Sequence, residues 1–144
     1  NTRDQITGAA RINSPDTLLG LGGNDVIVGL TGNDVIDGGS GNDRIFGNSG
    51  ADLITGGLGN DRMSGQQGAD TFIHDVGDGR DRITDFNVTQ DLLDLTGHGF
   101  ASFAEVQALM SNVASGALID LAGSDSVLLE GVAFASIGAE DVLI

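Results

Sequence analysis

The sequence predicts an all-β solenoid, and three observations predict it. A nine-residue period runs without a gap through residues 11–73, one position of that period is always apolar, and glycine recurs at two others. The units read RINSPDTLL, GLGGNDVIV, GLTGNDVID, GGSGNDRIF, GNSGADLIT, GGLGNDRMS and GQQGADTFI. Position eight holds Leu18, Ile27, Ile36, Ile45, Ile54, Met63 and Phe72. Six of the units open on Gly and carry a second Gly at position four.

Each element follows from the chemistry of the unit. Its first six residues form a turn rich in Gly and Asn, which tolerate φ > 0 and close backbone approach. Its last three form a short x-apolar-x strand, whose central side chain faces one way and whose neighbours face the other. Two units then make one coil of eighteen residues, with one strand in each of two parallel sheets. The position-eight side chains meet between the sheets as a narrow core.

Position six is Asp in every unit: Asp16, Asp25, Asp34, Asp43, Asp52, Asp61 and Asp70. Same-side units stack at about 4.8 Å, so Asp16, Asp34, Asp52 and Asp70 form one column and Asp25, Asp43 and Asp61 the other. Carboxylates at that spacing repel by roughly 1 kcal/mol per pair even in water's dielectric. A hard cation between them removes the conflict. With neither Cys nor repeated His in the turns, all-oxygen ligation favours Ca²⁺ over transition metals.

Composition points the same way. Of 144 residues 24 are Gly, all six basic residues are Arg, and 21 acidic residues set the net charge at −15. A polyanion is repelled by nucleic acid and by anionic membranes, so neither is expected as a partner. No apolar run approaches the length of a membrane helix. The opening NTRDQITG lacks Met and any signal-peptide pattern, so the chain reads as a piece of a longer secreted protein.

These units resemble the nonapeptide of RTX (hemolysin-type) proteins, whose fold is a right-handed parallel β-roll loaded with calcium. The resemblance implies that each ion lies between same-side turns. One turn would supply its Asp and the carbonyls of positions two and four, the next its Asp and the carbonyls of positions one and three. The implied carbonyl ligands are Leu21 and Gly23; Gly29, Leu30, Thr31 and Gly32; Gly38, Gly39, Ser40 and Gly41; Gly47, Asn48, Ser49 and Gly50; Gly56 and Leu58; and Gly65 and Gln67. Three ions in the first column and two in the second make about five. In the first unit Ile12 and Ser14 replace glycines, which weakens the first of these sites.

After Ile73 the period slips, but Asp81 and Ile83 keep the familiar relation two residues late, as an irregular last coil. DLLDL reads as a strand. Ser102 and Glu105 form a capping box for a helix over 102–110, and residues 117–132 read as a hairpin turning at 122–125. The expected organisation is a lead-in at 1–10, the roll at 11–84, and a β-rich cap with one short helix at 85–144. The run DRITDFNVTQDLLDLTG and the terminal AEDVLI are similar to the C-terminal part of RTX proteins exported by type I secretion. That group includes serralysin-type proteases, lipases, adhesins and alginate epimerases. The similarity implies an exporter as partner, an extracellular location, and a terminal signal needed for export but contributing little to folding.

No catalytic constellation is visible. H-E-x-x-H is absent, and His74 and His98 read as lone residues, with a structural or solvated role or else a supplementary contact to a Ca²⁺ site or ligand. The chain is therefore expected to be a non-catalytic module. On the outward face, position seven carries Arg44 and Arg62, and the displaced coil adds Arg82. This ladder suits either local ion pairs or an anionic polysaccharide.

Overall fold

The computed structural model describes residues 4–7 and 14–144. Within the repeat, strands alternate between two parallel sheets. One sheet takes β1 (Gln5–Thr7), β3 (Val26–Thr31), β5 (Arg44–Ser49), β7 (Arg62–Gln67) and β9 (Arg80–Ile83). The other takes β2 (Thr17–Leu19), β4 (Val35–Asp37), β6 (Leu53–Thr55), β8 (Thr71–Ile73) and β10 (Leu92–Asp94). Ile45 pairs with Ile27 below it and Met63 above it, and Ile54 with Ile36 and Phe72, so the register is one coil throughout. The architecture is the expected all-β parallel solenoid.

The position-eight residues supply the core between the sheets, and Ile27, Ile45, Ile54 and Phe72 are fully buried. Each contributes about 1.5–3 kcal/mol by leaving water. The core is only one side chain wide per strand, which leaves the turns to stabilise themselves by other means. Strands of three residues form in the second sheet as expected. In the first sheet β3, β5 and β7 continue into the following turn for six residues each.

Turn geometry differs from the sequence reading in one respect. Positive φ falls at positions two and four, not at Asn of position five. Position two is left-handed even where it is not glycine, as at Leu21 (φ 67°), Leu30 (79°), Asn48 (75°) and Gln66 (70°). The position-five asparagines work through their side chains. Asn24 Oδ1 accepts the N–H of Asn42 at 2.9 Å, and Asn42 Oδ1 that of Asn60 at 2.8 Å.

The C-terminal part extends both sheets instead of forming a separate layer. The expected hairpin is present as β12 (Gly116–Asp120) and β13 (Ser126–Glu130), and β13 adds in parallel to β9. Strand β11 (Met110–Val113), absent from the sequence reading, pairs with β12 at the outer edge. The helix α1 runs from Phe103 to Ala108, shorter than expected. Ser102 is its N-cap, but the Ser102 side chain makes no capping bond, and Glu105 Oε2 accepts from Ala101 N–H instead. The capping box is thus displaced by one residue.

The chain's end also departs from expectation. Strand β14 (Val142–Leu143) lies parallel to β10 at the edge of the second sheet, with Val142 buried beside Leu93. Leu93 N–H donates to Asp141 O at 2.8 Å and Leu95 N–H to Leu143 O at 2.9 Å. A segment read as contributing little to folding is therefore part of the sheet. At the other end β1 pairs with β3, Ile6 opposite Ile27, inside the stretch read as a lead-in. Residues 11–13, and with them Ile12, lie outside the described residues.

Candidate metal centre

Both aspartate columns form. The backbone N–H of each aspartate donates to Oδ1 of the next in its column, from Asp25 to Asp43 at 2.7 Å, Asp43 to Asp61 at 2.7 Å, Asp34 to Asp52 at 2.9 Å and Asp52 to Asp70 at 2.9 Å. Asp16 enters the same ladder through its N–H to Asp34 Oδ1 at 2.8 Å. Asp81, two residues late in sequence, takes its place in space: Asp61 N–H donates to its Oδ1 at 3.0 Å. The insertion is absorbed by the turn before it.

One oxygen of each carboxylate is thus fixed by the backbone, and the other accepts no hydrogen bond. Oδ2 of Asp25, Asp34, Asp43, Asp52, Asp61, Asp70 and Asp81 is buried and without a hydrogen bond. Seven orphaned carboxylate oxygens in two files are a large cost unless a cation meets them. The position-one glycines are shaped around the same points. A Cβ built on Gly29 would lie 2.5 Å from Asp34 Oδ2 and 2.6 Å from Gly47 O. A Cβ on Gly38 would meet Asp43 Oδ2 at 2.6 Å and also strike Gly56 O. A carboxylate oxygen and the carbonyl of the next same-side turn therefore face one spot, as the implied ligand sets require. The donor chemistry is all oxygen, and the residues present fit Ca²⁺.

Carbonyls at positions two and three are already used once. Ser40 N–H donates to Leu21 O and Leu58 N–H to Gly39 O, while Gly41 N–H donates to Leu58 O. Gly39 O and Leu58 O keep a second lone pair for a metal, while Leu21 O also takes the Ser40 hydroxyl at 3.4 Å. Among the described residues no three His, Cys, Asp or Glu side chains converge on one point. Each site would then join two carboxylates to backbone carbonyls, not a side-chain cage.

Electrostatics expose the conflict in the metal-free chain. Burial, helped by the neighbouring aspartates, pushes Asp70 up to about 6, Asp61 to about 7 and Asp81 to about 8, against the opposing pull of the backbone N–H bonds. Asp34, Asp43 and Asp52 are raised for the same reason.

The structure adds column members that the spacing concealed. Asp4 N–H donates to Asp25 Oδ1 at 2.7 Å, and Asp70 N–H to Asp91 Oδ1 at 3.0 Å. Both lie 21 residues from their partners, outside the 18-residue step. The only sequence signal was Asp followed two places on by an apolar residue, Ile6 and Leu93. Asp91 differs from the rest, since its Oδ2 accepts Asn87 N–H at 2.9 Å. It closes its column by hydrogen bonds.

The arginines at position seven stand in register, Arg44 beside Arg62 and Arg62 beside Arg82. Two of them are paired within the chain. Arg82 meets Glu130 Oε1 at 2.8 Å and Arg62 meets Glu130 Oε2 at 3.4 Å. His74 and His98 are not isolated: their rings stack at 5.4 Å, with His74 Nδ1 3.2 Å from His98 Nε2, and His98 stacks on Phe100.

No helix among the described residues is long and apolar enough to cross a membrane. No curated protein sequence matches the chain. A family model for the RTX calcium-binding nonapeptide repeat matches residues 13–45, 37–72 and 46–83. Solved structures share the fold. The AlgE6R2 subunit of the Azotobacter vinelandii mannuronan C5-epimerase is 30% identical, with 96% of this chain and 91% of that one aligned at a TM-score of 0.58. The AlgE6R3 subunit of that epimerase is 27% identical, over 94% of this chain and 82% of the other, with a TM-score of 0.59. The extracellular lipase LipA of Serratia marcescens, at 18% identity, aligns with 99% of this chain over 38% of its own length, with a TM-score of 0.56. Repeat, coil geometry and orphaned carboxylates converge on these matches, and the chain belongs to the RTX calcium-binding nonapeptide-repeat family.

Proposed function

We propose that the chain is a non-catalytic module of a secreted protein, unfolded at cytosolic calcium and folded by Ca²⁺ outside the cell. The observation that carries this reading is the double file of buried, unpartnered Oδ2 atoms. About five ions sit between the repeat turns, held by the aspartates and by carbonyls of positions one to four. Five divalent ions would bring the formal charge from −15 to about −5. The test is withdrawal of the metal, which must dissolve the fold.

The terminal segment carries the export signal for a type I exporter. Its acid-then-apolar end, Asp141 to Ile144, supports this, as does its similarity to the ends of exported RTX proteins. Deleting residues 141–144 is expected to abolish secretion of a fused passenger. Because Val142 is buried and β14 pairs with β10, the deletion also lowers the stability of the purified, calcium-loaded chain by about 2 kcal/mol. Normal secretion of the shortened chain would refute the signal.

A second reading, attachment to an anionic polysaccharide such as the mannuronan of the related epimerase, is favoured by the register of Arg44, Arg62 and Arg82. Guanidinium groups at strand spacing can each take a carboxylate in a bidentate contact. Glu130 competes for two of the three, so binding is weak and leans on Arg44. Calorimetry against alginate oligomers should show heat only with Ca²⁺ present, fading with NaCl, and lost in Arg44→Ala/Arg62→Ala. Equal heats for mutant and parent would reduce the ladder to surface ion pairs.

A further inference from the structure

From Gly20 to Gly65 each repeat unit opens on a glycine lying against Oδ2 of the aspartate in its own turn. A Cβ at Gly56 would stand 2.6 Å from Asp61 Oδ2, as one at Gly38 would from Asp43 Oδ2. The next position-one residue, directly after Ile73, is His74. The turn it opens ends on Asp81 and is two residues longer, 20 from Asp61 to Asp81 against 18 from Asp43 to Asp61. The slot that a Cβ would close lower in the column is here wide enough for a ring.

The ring is in it. His74 is 1% exposed, with Nε2 3.7 Å from Asp81 Oδ2 and 3.3 Å from Gly79 O. A carbonyl can only accept, so the contact with Gly79 O puts the hydrogen on Nε2, which stands 3.7 Å from the Asp81 Oδ2 that a cation would meet. The ring is held from behind by His98, which rests on Phe100. Among the described residues no aspartate takes the ladder position beyond Asp81. Strand β13 lays Val127 beside Asp81, and Asp125 Oδ2 accepts Gly77 N–H at 2.8 Å.

We propose that His74 terminates this file of ions, its imidazole standing past Asp81 in place of a cation, so that the last ion lies between Asp61 and Asp81. The proposal rests on the calcium reading above and adds to it the residue that sets where the file stops. Its physical logic is that a column whose last buried carboxylate lacks a hydrogen bond either binds an unfinished ion or supplies a donor of its own.

Two measurements test it. In crystals of the intact chain loaded with Tb³⁺, anomalous peaks should run up the column to the Asp61–Asp81 pair, with none between Asp81 and His74. By native mass spectrometry, His74→Gly should bind one more Ca²⁺ than the parent, and His74→Gln, which still fills the slot, the parent number. A peak between Asp81 and His74, or a folded His74→Gly with an unchanged count, overturns the proposal. Should His74→Gly not fold, the peak map of the parent decides alone. A parent that binds no ion anywhere refutes the calcium reading itself, and the terminus falls with it.

Discussion

Chelation with EGTA is expected to abolish the β-sheet signal of the roll in far-ultraviolet circular dichroism, and millimolar Ca²⁺ to restore it. The expectation follows from what the metal-free fold must bear. Seven Oδ2 atoms are buried without a hydrogen bond, and same-column carboxylates face one another coil after coil. Four non-glycine residues at position two hold left-handed backbone, at about 1–2 kcal/mol each. Against this stands a core one side chain wide. Calcium reverses the balance, since each independent site adds about 2.7 kcal/mol once free Ca²⁺ is 100-fold above its Kd, and extracellular modules bind at roughly 10⁻⁴–10⁻³ M. Several such sites together are comparable to the whole stability of an ordinary domain, about 5–15 kcal/mol.

The same balance sets the response to pH. The folded carboxyls of Asp70, Asp61 and Asp81 sit at about 6, 7 and 8, above the ordinary 3.8. A raised folded pKa means that protonation favours the fold. The contribution is complete below pH 3.8 and is lost as pH rises through 6 to 8. Chelated protein should therefore regain β structure on acidification from pH 8 toward 5. The calcium-loaded chain should behave oppositely, with its calcium midpoint rising as protons compete for the same oxygens. A spectrum unchanged by chelation at pH 8 would show that the columns need no metal.

Asp43→Ala is expected to raise the Ca²⁺ concentration for half-folding by tenfold or more. Asp43 lies mid-column, and its side chain serves two purposes. Oδ1 accepts Asp25 N–H, and its loss strands a buried donor at about 1–3 kcal/mol. Oδ2 is the orphan that faces Gly56 O, where an ion would be bridged. Asp43→Asn separates the two. It keeps an oxygen for Asp25 N–H but removes the charge, so it should still demand more calcium. Without metal it should be no less folded than the parent, because one raised carboxylate has been neutralised. Calcium titrations of the three proteins, followed by circular dichroism, make the comparison. An unchanged midpoint for Asp43→Ala would mean that neighbouring turns do not share ions.

Much of this molecule is written locally. A nine-residue period with Asp at six and an apolar residue at eight determines coil length, register, core and the aspartate columns, because each is repeated at a distance the chain itself measures. Asp81 could still be recognised two residues out of step, since Ile83 kept its relation to it. Other features depend on which distant segments meet. Asp4 and Asp91 join the columns across 21-residue intervals that no fixed step predicts. Glu130 reaches Arg62 and Arg82 only because β13 docks on β9, 48 residues from Arg82 in sequence. The terminal strand is a strand because β10 offers it a free edge, and His74 lies beside Asp81 because an enlarged turn lets a ring enter where the six preceding units have glycine. Repetition carries spacing, and spacing is legible along one chain. Closure of the two ends is made once, by pairing and packing between remote segments, and only the tertiary structure decides it.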